Sequence, residues 1–341
     1  MLITPKQNKN VAEAGFASIV IALILIIVLA LLTVGFAQLA RREQRNALDK
    51  QLASQAYYAA ESGVNDIVKD IPAIATANPP SDQCLNTSNF SLNPIIDQPR
   101  GVSYSCALVN LNPPNLLYDN VAAEEQRYVT FTTNPNPMVS ITIQWGSADN
   151  KTTYRTSSGF TQLGQWGNSP GVLEVSLTPL GTGTLQRSSL ISSNFNVYLY
   201  PYDASGSSTV SYNPSSQGQI AGRCNGAGAY PCSLTINNLP TIVGEWYALR
   251  IIDHYDASNI NISGSAGALG PVSFVDGQAQ IDVTGKAREV LKRIQVRVPI
   301  HPSYPLPKYS IESQNTCKRF TLDPHVAASF DGLDPSCTLV P

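Results

Sequence analysis

The longest uninterrupted run of apolar residues lies near the N-terminus. Residues 15–37 read GFASIVIALILIIVLALLTVGFA and contain no charge. At about 1.5 Å per residue, a helix of this length spans roughly 30 Å, which matches the hydrocarbon core of a bilayer. A cleaved secretory signal has a shorter apolar stretch, of about 7–15 residues. The pattern therefore predicts a single transmembrane helix that is retained as an anchor.

The helical periodicity continues beyond this run. Between residues 38 and 71, apolar or small residues recur in steps of three and four, which places one stripe along a helix. The stripe consists of Leu48, Leu52, Ala56, Ala59, Ala60, Val64, Ile67, Val68 and Ile71. Pro72 has no backbone N–H and is expected to end the helix. The sequence thus predicts one rod over 16–71, roughly 85 Å long, with its membrane span at 16–37.

From residue 72 onward, the chain changes to short runs in which apolar and polar residues alternate. In the run 139–145, Val139, Ile141, Ile143 and Trp145 share one face. This period of two is typical of a strand with one buried side. Similar runs occupy 128–133, 173–178, 195–200 and 245–253. Because no strands alternate regularly with helices, the head is predicted to be antiparallel, which makes the fold class α+β.

A late β-hairpin is also predicted. Its strands are 280–283 and 294–298, and the expected turn is Thr284–Gly285–Lys286. Gly285 would supply the backbone freedom that a tight turn needs.

Composition narrows the class of function. Charged residues make up 13% of the chain and the net charge is -2, so no basic field is present to hold nucleic acid. The polar residues are mainly Ser, Thr, Asn and Gln, accompanied by 24 Pro and 23 Gly. This mixture favours a loop-rich β protein over a helical enzyme.

The even number of cysteines favours disulfides in an oxidising compartment. The six are Cys84, Cys106, Cys224, Cys232, Cys317 and Cys337. They allow about 15 pairings, among which closeness in the chain favours Cys84–Cys106, Cys224–Cys232 and Cys317–Cys337. Buried free thiols are the alternative. No Cys-x-x-Cys pair occurs, so no zinc site is predicted.

The C-terminal region, 301–341, begins with HPSYPLPKY, which is typical of a polyproline-like strap. A Cys317–Cys337 bridge would close its tail. In the chain-entropy model, such a loop contributes roughly 3 kcal/mol.

Charge alone does not decide the orientation of the span. Lys6 and Lys9 precede it, whereas Arg41, Arg42 and Arg45 follow it, which favours the opposite orientation under the positive-inside rule. The expected disulfides and the Ser/Thr-rich head indicate that the C-terminal part lies outside the cytoplasm. We give these features more weight than the charges.

Catalytic motifs are absent from the sequence. His254, His301 and His325 belong to no His-Glu-x-x-His motif, and no Gly-x-Ser-x-Gly elbow presents a serine. Asp253, His254 and Asp256 could orient a base or bind a metal, but a polar loop after a strand explains them as well. We therefore predict no enzymatic activity, no cofactor and no metal site.

A group of tyrosines offers either a contact surface or strand packing. Its members are Tyr198, Tyr200, Tyr202, Tyr212 and Tyr230.

The layout of the N-terminal region resembles that of type IV pilins. A short segment carrying Lys6 and Lys9 ends at Gly15, and Phe16 opens the apolar helix. The resemblance implies a leader at 1–15 that a prepilin peptidase removes between Gly15 and Phe16.

The helix is more specifically similar to that of PilX-type minor pilins. That family carries an Ala-Ala-Glu-small-Gly signature, here Ala59, Ala60, Glu61, Ser62 and Gly63.

Val20 departs from the pattern of major pilins, which have Glu at the fifth residue of the mature chain. In the family, this carboxylate neutralises the N-terminal ammonium of a neighbouring subunit. An apolar residue avoids a lone charge in lipid and removes that partner, which is expected for a subunit at the filament tip. Alternatively, Val20 simply faces lipid in an ordinary anchor.

The resemblance implies a minor pilin at or near the tip of a type IV pilus, with other pilins as partners. Its head would lie outside the inner membrane, then on an extracellular pilus, and could be adhesive, with a tip adhesin or a surface ligand as its partner. The head, 72–300, exceeds what one pilin sheet needs, so an inserted or neighbouring β-sandwich is expected within about 165–265. The alternative is an anchored cell-surface binding protein that never polymerises; an anchored hydrolase lacks a recognisable nucleophile.

Overall fold

The structure is a computed structural model of the chain. It describes residues 11–301 except 87–88, 157–165, 182–191, 215–217, 226–227 and 243, with side chains from residue 18 onward. Residues 1–10 of the expected leader lie outside the described residues. The same holds for the C-terminal region from residue 302, including Cys317 and Cys337.

The N-terminal helix is longer than predicted at both ends. Helix α1 is Val11–Ala77, which is 67 residues or about 100 Å. It therefore begins before Phe16, and Gly15 does not interrupt it.

The expected stop at Pro72 is wrong, since Pro72 lies inside α1. Ile71 and Ile74, on either side of it, are buried against the head and hold the last turn in place. The helix ends instead at Asn78, which has a left-handed φ of 44° and whose N–H donates to the carbonyl of Ile74 at 2.9 Å.

The described residues after α1 form strands β1 to β15. These are β1 Ile95–Asp97, β2 Val102–Asn110, β3 Asn115–Val121, β4 Gln126–Asn134, β5 Ser140–Ser147, β6 Val172–Gly181, β7 Phe195–Tyr202, β8 Thr209–Ser211, β9 Gly218–Cys224, β10 Cys232–Asn237, β11 Trp246–His254, β12 Ser258–Ser265, β13 Pro271–Val275, β14 Gln278–Ala287 and β15 Val290–Pro299. They confirm the predicted α+β class.

Four of these strands form an antiparallel sheet in the order β1-β2-β14-β15, and the second half of α1 packs on it. We call this unit the pilin sheet. The predicted apolar stripe faces it from Ala56 to Ile71, while Leu48 and Val68 are exposed. Burial of the stripe and the facing strand residues forms one core.

The late hairpin is present, but its expected turn is wrong. Strands β14 and β15 pair from Gln278–Pro299 to Ala287–Val290, so the chain turns at residues 288–289. Gly285 lies inside β14 and faces α1, where an added Cβ would collide with the carbonyl oxygen of Ala56 and approach the nitrogen of Ala60 to 2.5 Å. Gly285 is therefore needed for close approach of the helix.

The remaining eleven strands form a second sheet, which lies in sequence between β2 and β14. Its pairing order is β13-β4-β11-β6-β7-β9-β10-β5-β12-β3, with β8 beside β10, and it closes through a β12–β13 pairing. We call this unit the inserted domain. It spans Asn115–Val275, so the insertion is larger than the expected 165–265. The boundary was missed because the earlier strands have the same alternating pattern as those of the pilin sheet.

Two strand pairs of the inserted domain are parallel, β7–β9 and β8–β10. They are exceptions to the predicted antiparallel arrangement, and they arise because the chain crosses over between β7 and β9. The interior is filled by large side chains that exclude solvent, including Trp145, Phe131, Phe195, Tyr247 and Phe274. Ile141, Ile143 and Trp145 confirm the predicted buried face of β5.

Candidate functional sites on the helix and the inserted domain

The first half of α1 is an apolar surface without an intramolecular partner. From Ile19 to Phe36 its large side chains are exposed, and Val20 is 41% exposed. The helical segment Ser18–Ala77 is long enough, and apolar enough in part of its length, to cross a membrane. Exposure of so much apolar surface to water is costly, at about 25 cal/mol per Å². This half of the helix therefore requires lipid or other helices around it.

The expected processing and assembly residues lie on this helix. The backbone of Gly15 and Phe16 is helical, and their side chains are outside the described set. Val20 lies on an exposed face among aliphatic neighbours.

The Ala-Ala-Glu-Ser-Gly signature lies where α1 meets the pilin sheet. Ala59 and Ala60 are buried, and Glu61 is exposed to solvent. An added Cβ at Gly63 would lie 2.8 Å from Cγ1 of Val283 and 2.9 Å from the ring of Tyr104. The small residues of the signature therefore let the helix backbone lie close to the sheet, with Gly285 as the matching small residue on β14.

Two aspartates fasten the same part of the helix. Asp66 Oδ2 accepts hydrogen bonds from the Tyr104 hydroxyl at 2.9 Å and from the Asn93 N–H at 3.1 Å. Asp70 Oδ2 accepts from the Ser91 N–H at 2.6 Å. Burial, followed by the hydrogen bond to Asp66, raises the pKa of Tyr104, so its hydroxyl stays a donor. These aspartates were not predicted from the sequence, although their i, i+4 spacing lies beside the apolar stripe.

A disulfide ties the loop after α1 to the pilin sheet. Cys84 and Cys106 are bonded, with their Cα atoms 5.2 Å apart. A second disulfide joins Cys224 and Cys232 in the inserted domain, with a Cα–Cα distance of 3.9 Å. Both pairs are those favoured by closeness in the chain.

The inserted domain leaves the pilin sheet at the end remote from the membrane span. Val102 and Ala287, at one end of the β2–β14 pair, pack with Ala56 and Ala59. At the other end, Leu111 follows β2 and joins the cluster around Ile74, close to the C-terminus of α1. The chain enters and leaves the inserted domain at this second end.

Polar side chains fix the junction between the two sheets. The Gln278 amide bonds both the N–H and the carbonyl of Leu117, each at 3.0 Å. Arg297 donates to the carbonyl of Asn115 at 2.9 Å. Leu117 and Asn115 lie at the start of β3, so the start of this strand marks the inner end of the inserted domain.

The opposite end of the inserted domain can be located from the strand register. Ser263 of β12 lies opposite Asn115, whereas Ser258 lies opposite Val121 and Ser147. Five residues of strand separate Ser263 from Ser258, or about 17 Å at 3.3 Å per residue. We call the end that contains Ser258 and Ser147 the outer end.

The predicted Asp253, His254 and Asp256 group lies at this outer end but does not form one site. Asp253 is fully buried, and no hydrogen bond of normal geometry from the described residues reaches its carboxylate oxygens. Burial raises the pKa of Asp253 well above its usual value, and the neighbouring Ser258 hydroxyl only partly offsets this. Alternation along the strand points His254 to the opposite face.

His254 lies between two glutamates. Its Nδ1 is 2.8 Å from Oε1 of Glu124, and its Nε2 is 3.4 Å from Oε2 of Glu174. Arg250 donates to Glu174 at 2.7 Å. The hydrogen bond with Glu174, against the opposing effect of burial, raises the pKa of His254, and the same bond lowers the pKa of Glu174. In the described part of the chain, no group of three His, Cys, Asp or Glu side chains is arranged to hold a metal.

Asp256 belongs to a third environment, beside a groove at the outer end. Its Oδ2 accepts from the Ser147 hydroxyl at 2.8 Å, and its Oδ1 lies 2.5 Å from Nζ of Lys151. The groove has a volume of about 300 Å³ and is lined on one side by Ser147, Asn150, Lys151, Thr152 and Tyr154.

The opposite wall of the groove comes from the loop that the Cys224–Cys232 disulfide closes. Gly228, Ala229 and Pro231 of this loop line it. The loop lies directly on β5, because an added Cβ at Gly146 would collide with Ala229 and Pro231. The groove could not be predicted from the sequence, since its two walls come from distant parts of the chain.

The predicted tyrosine group is divided by the structure. Tyr198, Tyr200 and Tyr202 pack in a cluster with Trp166 and Tyr255 near the outer end. Tyr212 serves packing, because its ring lies 5.7 Å from that of Phe195 and its hydroxyl donates to Ser193. Tyr230 is half-buried beside the groove wall.

A long, exposed apolar helix whose second half is seated on an antiparallel sheet defines a membrane-anchored, pilin-like class of protein. The PilX N-terminal family matches residues 6–65, a range that contains Gly15, Val20 and the small-residue signature. In its N-terminal region the chain is thus similar to PilX-type pilins. A comparison with curated proteins found no match.

Proposed function

We propose that this chain is a minor pilin that enters a type IV pilus at or near its tip. The observation that carries the proposal is the position of the inserted domain at the end of the pilin sheet remote from the membrane span. If pilin helices lie along the filament axis with their N-termini toward the cell, this domain projects away from the cell. In the shaft, that space would be occupied by the neighbouring subunit on the tip side. A tip position leaves that space free.

The apolar residue at Val20 supports the same position. A subunit inside the shaft would use a carboxylate there to meet a neighbouring ammonium, and Val20 offers none. Val20 is surrounded by exposed aliphatic side chains that suit lipid before assembly and other pilin helices afterwards.

The proposed topology places the head outside the inner membrane. The two disulfides support an oxidising compartment for the pilin sheet and the inserted domain alike. A prepilin peptidase would process the chain between Gly15 and Phe16. The head would then act by contact, without enzymatic chemistry.

The proposal is tested by locating the chain in sheared filaments. Immunogold labelling of the inserted domain should decorate filament ends, and quantitative proteomics should find the chain in small amounts relative to the major subunit. Regular labelling along the shaft would contradict the tip position. Absence of the chain from filaments, with all of it in membranes, would favour the second candidate.

The second candidate is an anchored cell-surface binding protein that does not polymerise. The exposed span supports it, because lipid alone can cover this surface. Processing separates the two candidates: a surface-exposed chain that retains Met1 would favour the simple anchor.

A further inference from the structure

The groove at the outer end of the inserted domain has the features of a ligand site. Its volume of about 300 Å³ is at the lower end of the range for small-molecule pockets. One wall is the end of β5 and the segment after it. The other wall belongs to the loop that the Cys224–Cys232 disulfide closes and that packs against β5 at Gly146. It lies at the end of the domain farthest from the junction with the pilin sheet.

The charges beside the groove cancel each other. Nζ of Lys151 lies 2.5 Å from Asp256, whose other oxygen accepts from Ser147 at 2.8 Å. Because the ammonium is already paired, the described lining of the groove offers no unpaired cation for a phosphate, sulfate or carboxylate. The Lys151 ammonium, which lines the groove, keeps N–H donors that can bond neutral hydroxyl groups.

The rest of the lining combines polar side chains with one aromatic ring. Asn150 and Thr152 are exposed and can donate and accept hydrogen bonds. Tyr154 is half-buried, packs against the core of the inserted domain, and lines the groove. Burial raises the pKa of Tyr154, so its hydroxyl remains neutral at physiological pH. Large aliphatic side chains, which an apolar ligand would require, are missing from the described lining.

We propose that this groove binds the neutral end of a carbohydrate chain. A sugar ring would present adjacent hydroxyl groups to Lys151, Asn150 and Thr152, and a C–H face to the ring of Tyr154. The inference rests on the proposed function only in that a tip position would present the groove to an external surface. Binding itself does not depend on assembly.

The test uses the full chain, with its anchor in detergent micelles, on an array of oligosaccharides. The array carries neutral hexose, N-acetylhexosamine and deoxyhexose ends, with sialylated and sulfated ends as comparators. Saturable binding to a neutral end is expected. Absence of binding to every neutral end, or salt-sensitive binding to the acidic ends alone, would overturn the inference.

A matched pair of variants places the binding in the groove. Asn150 has a left-handed φ of 58°, so Asn150→Gly removes the amide while keeping the backbone conformation. Combined with Thr152→Val, it should weaken binding about tenfold or more, through the loss of two hydrogen-bonding side chains. Asn120→Gly is the control, because Asn120 also has a left-handed φ, of 50°, and lies on β3 outside the groove lining.

Unchanged affinity in the double variant would move the binding site elsewhere and overturn the assignment. Filament incorporation is measured separately on the same variants. Sugar binding by a chain that never enters filaments would refute the tip-pilin proposal and leave the groove assignment standing. Incorporation without sugar binding would refute the groove assignment alone.

Discussion

At the residue scale, Asp253 is a buried carboxylic acid with no ordinary partner among the described residues. Its pKa is raised chiefly by burial, so the folded state holds the proton more tightly than the unfolded state does. The stability of the folded state therefore decreases as the pH rises from the usual carboxyl range toward the raised pKa. At neutral pH, this residue therefore destabilises the inserted domain.

We expect Asp253→Asn to stabilise the inserted domain by roughly 1–3 kcal/mol at pH 7.5, because it removes a charge that burial disfavours. The gain should shrink toward pH 4. The measurement is denaturant unfolding monitored by tryptophan fluorescence, since Trp145, Trp166 and Trp246 all lie within the inserted domain. A loss of stability at both pH values would show that the carboxylate has a partner.

His254 is a base, and it affects stability in a different pH range from the acid Asp253. Its pKa is raised first by Glu174, so its contribution is fully present below about pH 6.5 and is lost as the pH rises through the raised pKa. His254→Gln should therefore cost roughly 1 kcal/mol near pH 5.5 and almost nothing near pH 9. The same fluorescence measurement checks this, and a cost independent of pH would indicate lost packing alone.

At the element scale, α1 and β14 touch through small residues. Gly63 of the helix faces Val283 and Tyr104, and Gly285 of the strand faces the backbone of Ala56 and Ala60. The sequence identified the helical stripe and the small-residue signature, because both repeat locally. It could not identify the partner glycine on β14, since that contact joins segments more than two hundred residues apart.

Gly285→Ala should destabilise the pilin sheet by roughly 1–3 kcal/mol, because its Cβ would press on backbone atoms that cannot rotate away. The control is Gly218→Ala, at an exposed strand position where an added Cβ meets nothing within 4 Å. Hydrogen exchange of β2 and β14 measures the effect where it arises. Equal effects of the two substitutions would refute the close-packing role of Gly285.

The misread elements share one physical cause. Pro72 normally ends a helix and Gly285 normally favours a turn, and both local preferences are overridden by packing against the pilin sheet. The extent of the inserted domain could likewise not be predicted from a local sequence pattern. Strand alternation shows which residues are buried, but pairing between distant strands decides to which sheet they belong.

The disulfides allow a prediction about connectivity. Peptide mass mapping without reductant should recover Cys84–Cys106 and Cys224–Cys232, and a third bridge, Cys317–Cys337, in the C-terminal tail. Replacing Cys84 and Cys106 together by Ser should destabilise the pilin sheet by about 3 kcal/mol, because a loop of 22 residues is no longer closed in the unfolded chain. Free thiols at most of the six cysteines would contradict the oxidising compartment.

At the scale of the whole molecule, Val20→Glu tests how the chain enters a filament. On insertion scales a lone carboxylate carries a penalty of roughly 3 kcal/mol at the bilayer centre and a smaller one at Val20, which lies near the start of the 16–37 span. A tip subunit offers this carboxylate no ammonium above it. Membrane insertion or incorporation should therefore decrease, as measured by fractionation and filament proteomics. Val20→Leu is the control for size. Increased incorporation of the Glu variant along the shaft would contradict the tip assignment.

The position of the inserted domain also determines how mechanical load would pass through the protein. Both connections leave the same end of the pilin sheet, so a pull on the domain loads β2 and β14 together along their length. Their hydrogen bonds are then not peeled apart one after another. From β2, the Cys84–Cys106 bond provides a covalent shortcut to the end of α1 that bypasses the loop between the two cysteines. Tension on the outer end would thus reach the anchoring helix through a short, cross-linked path.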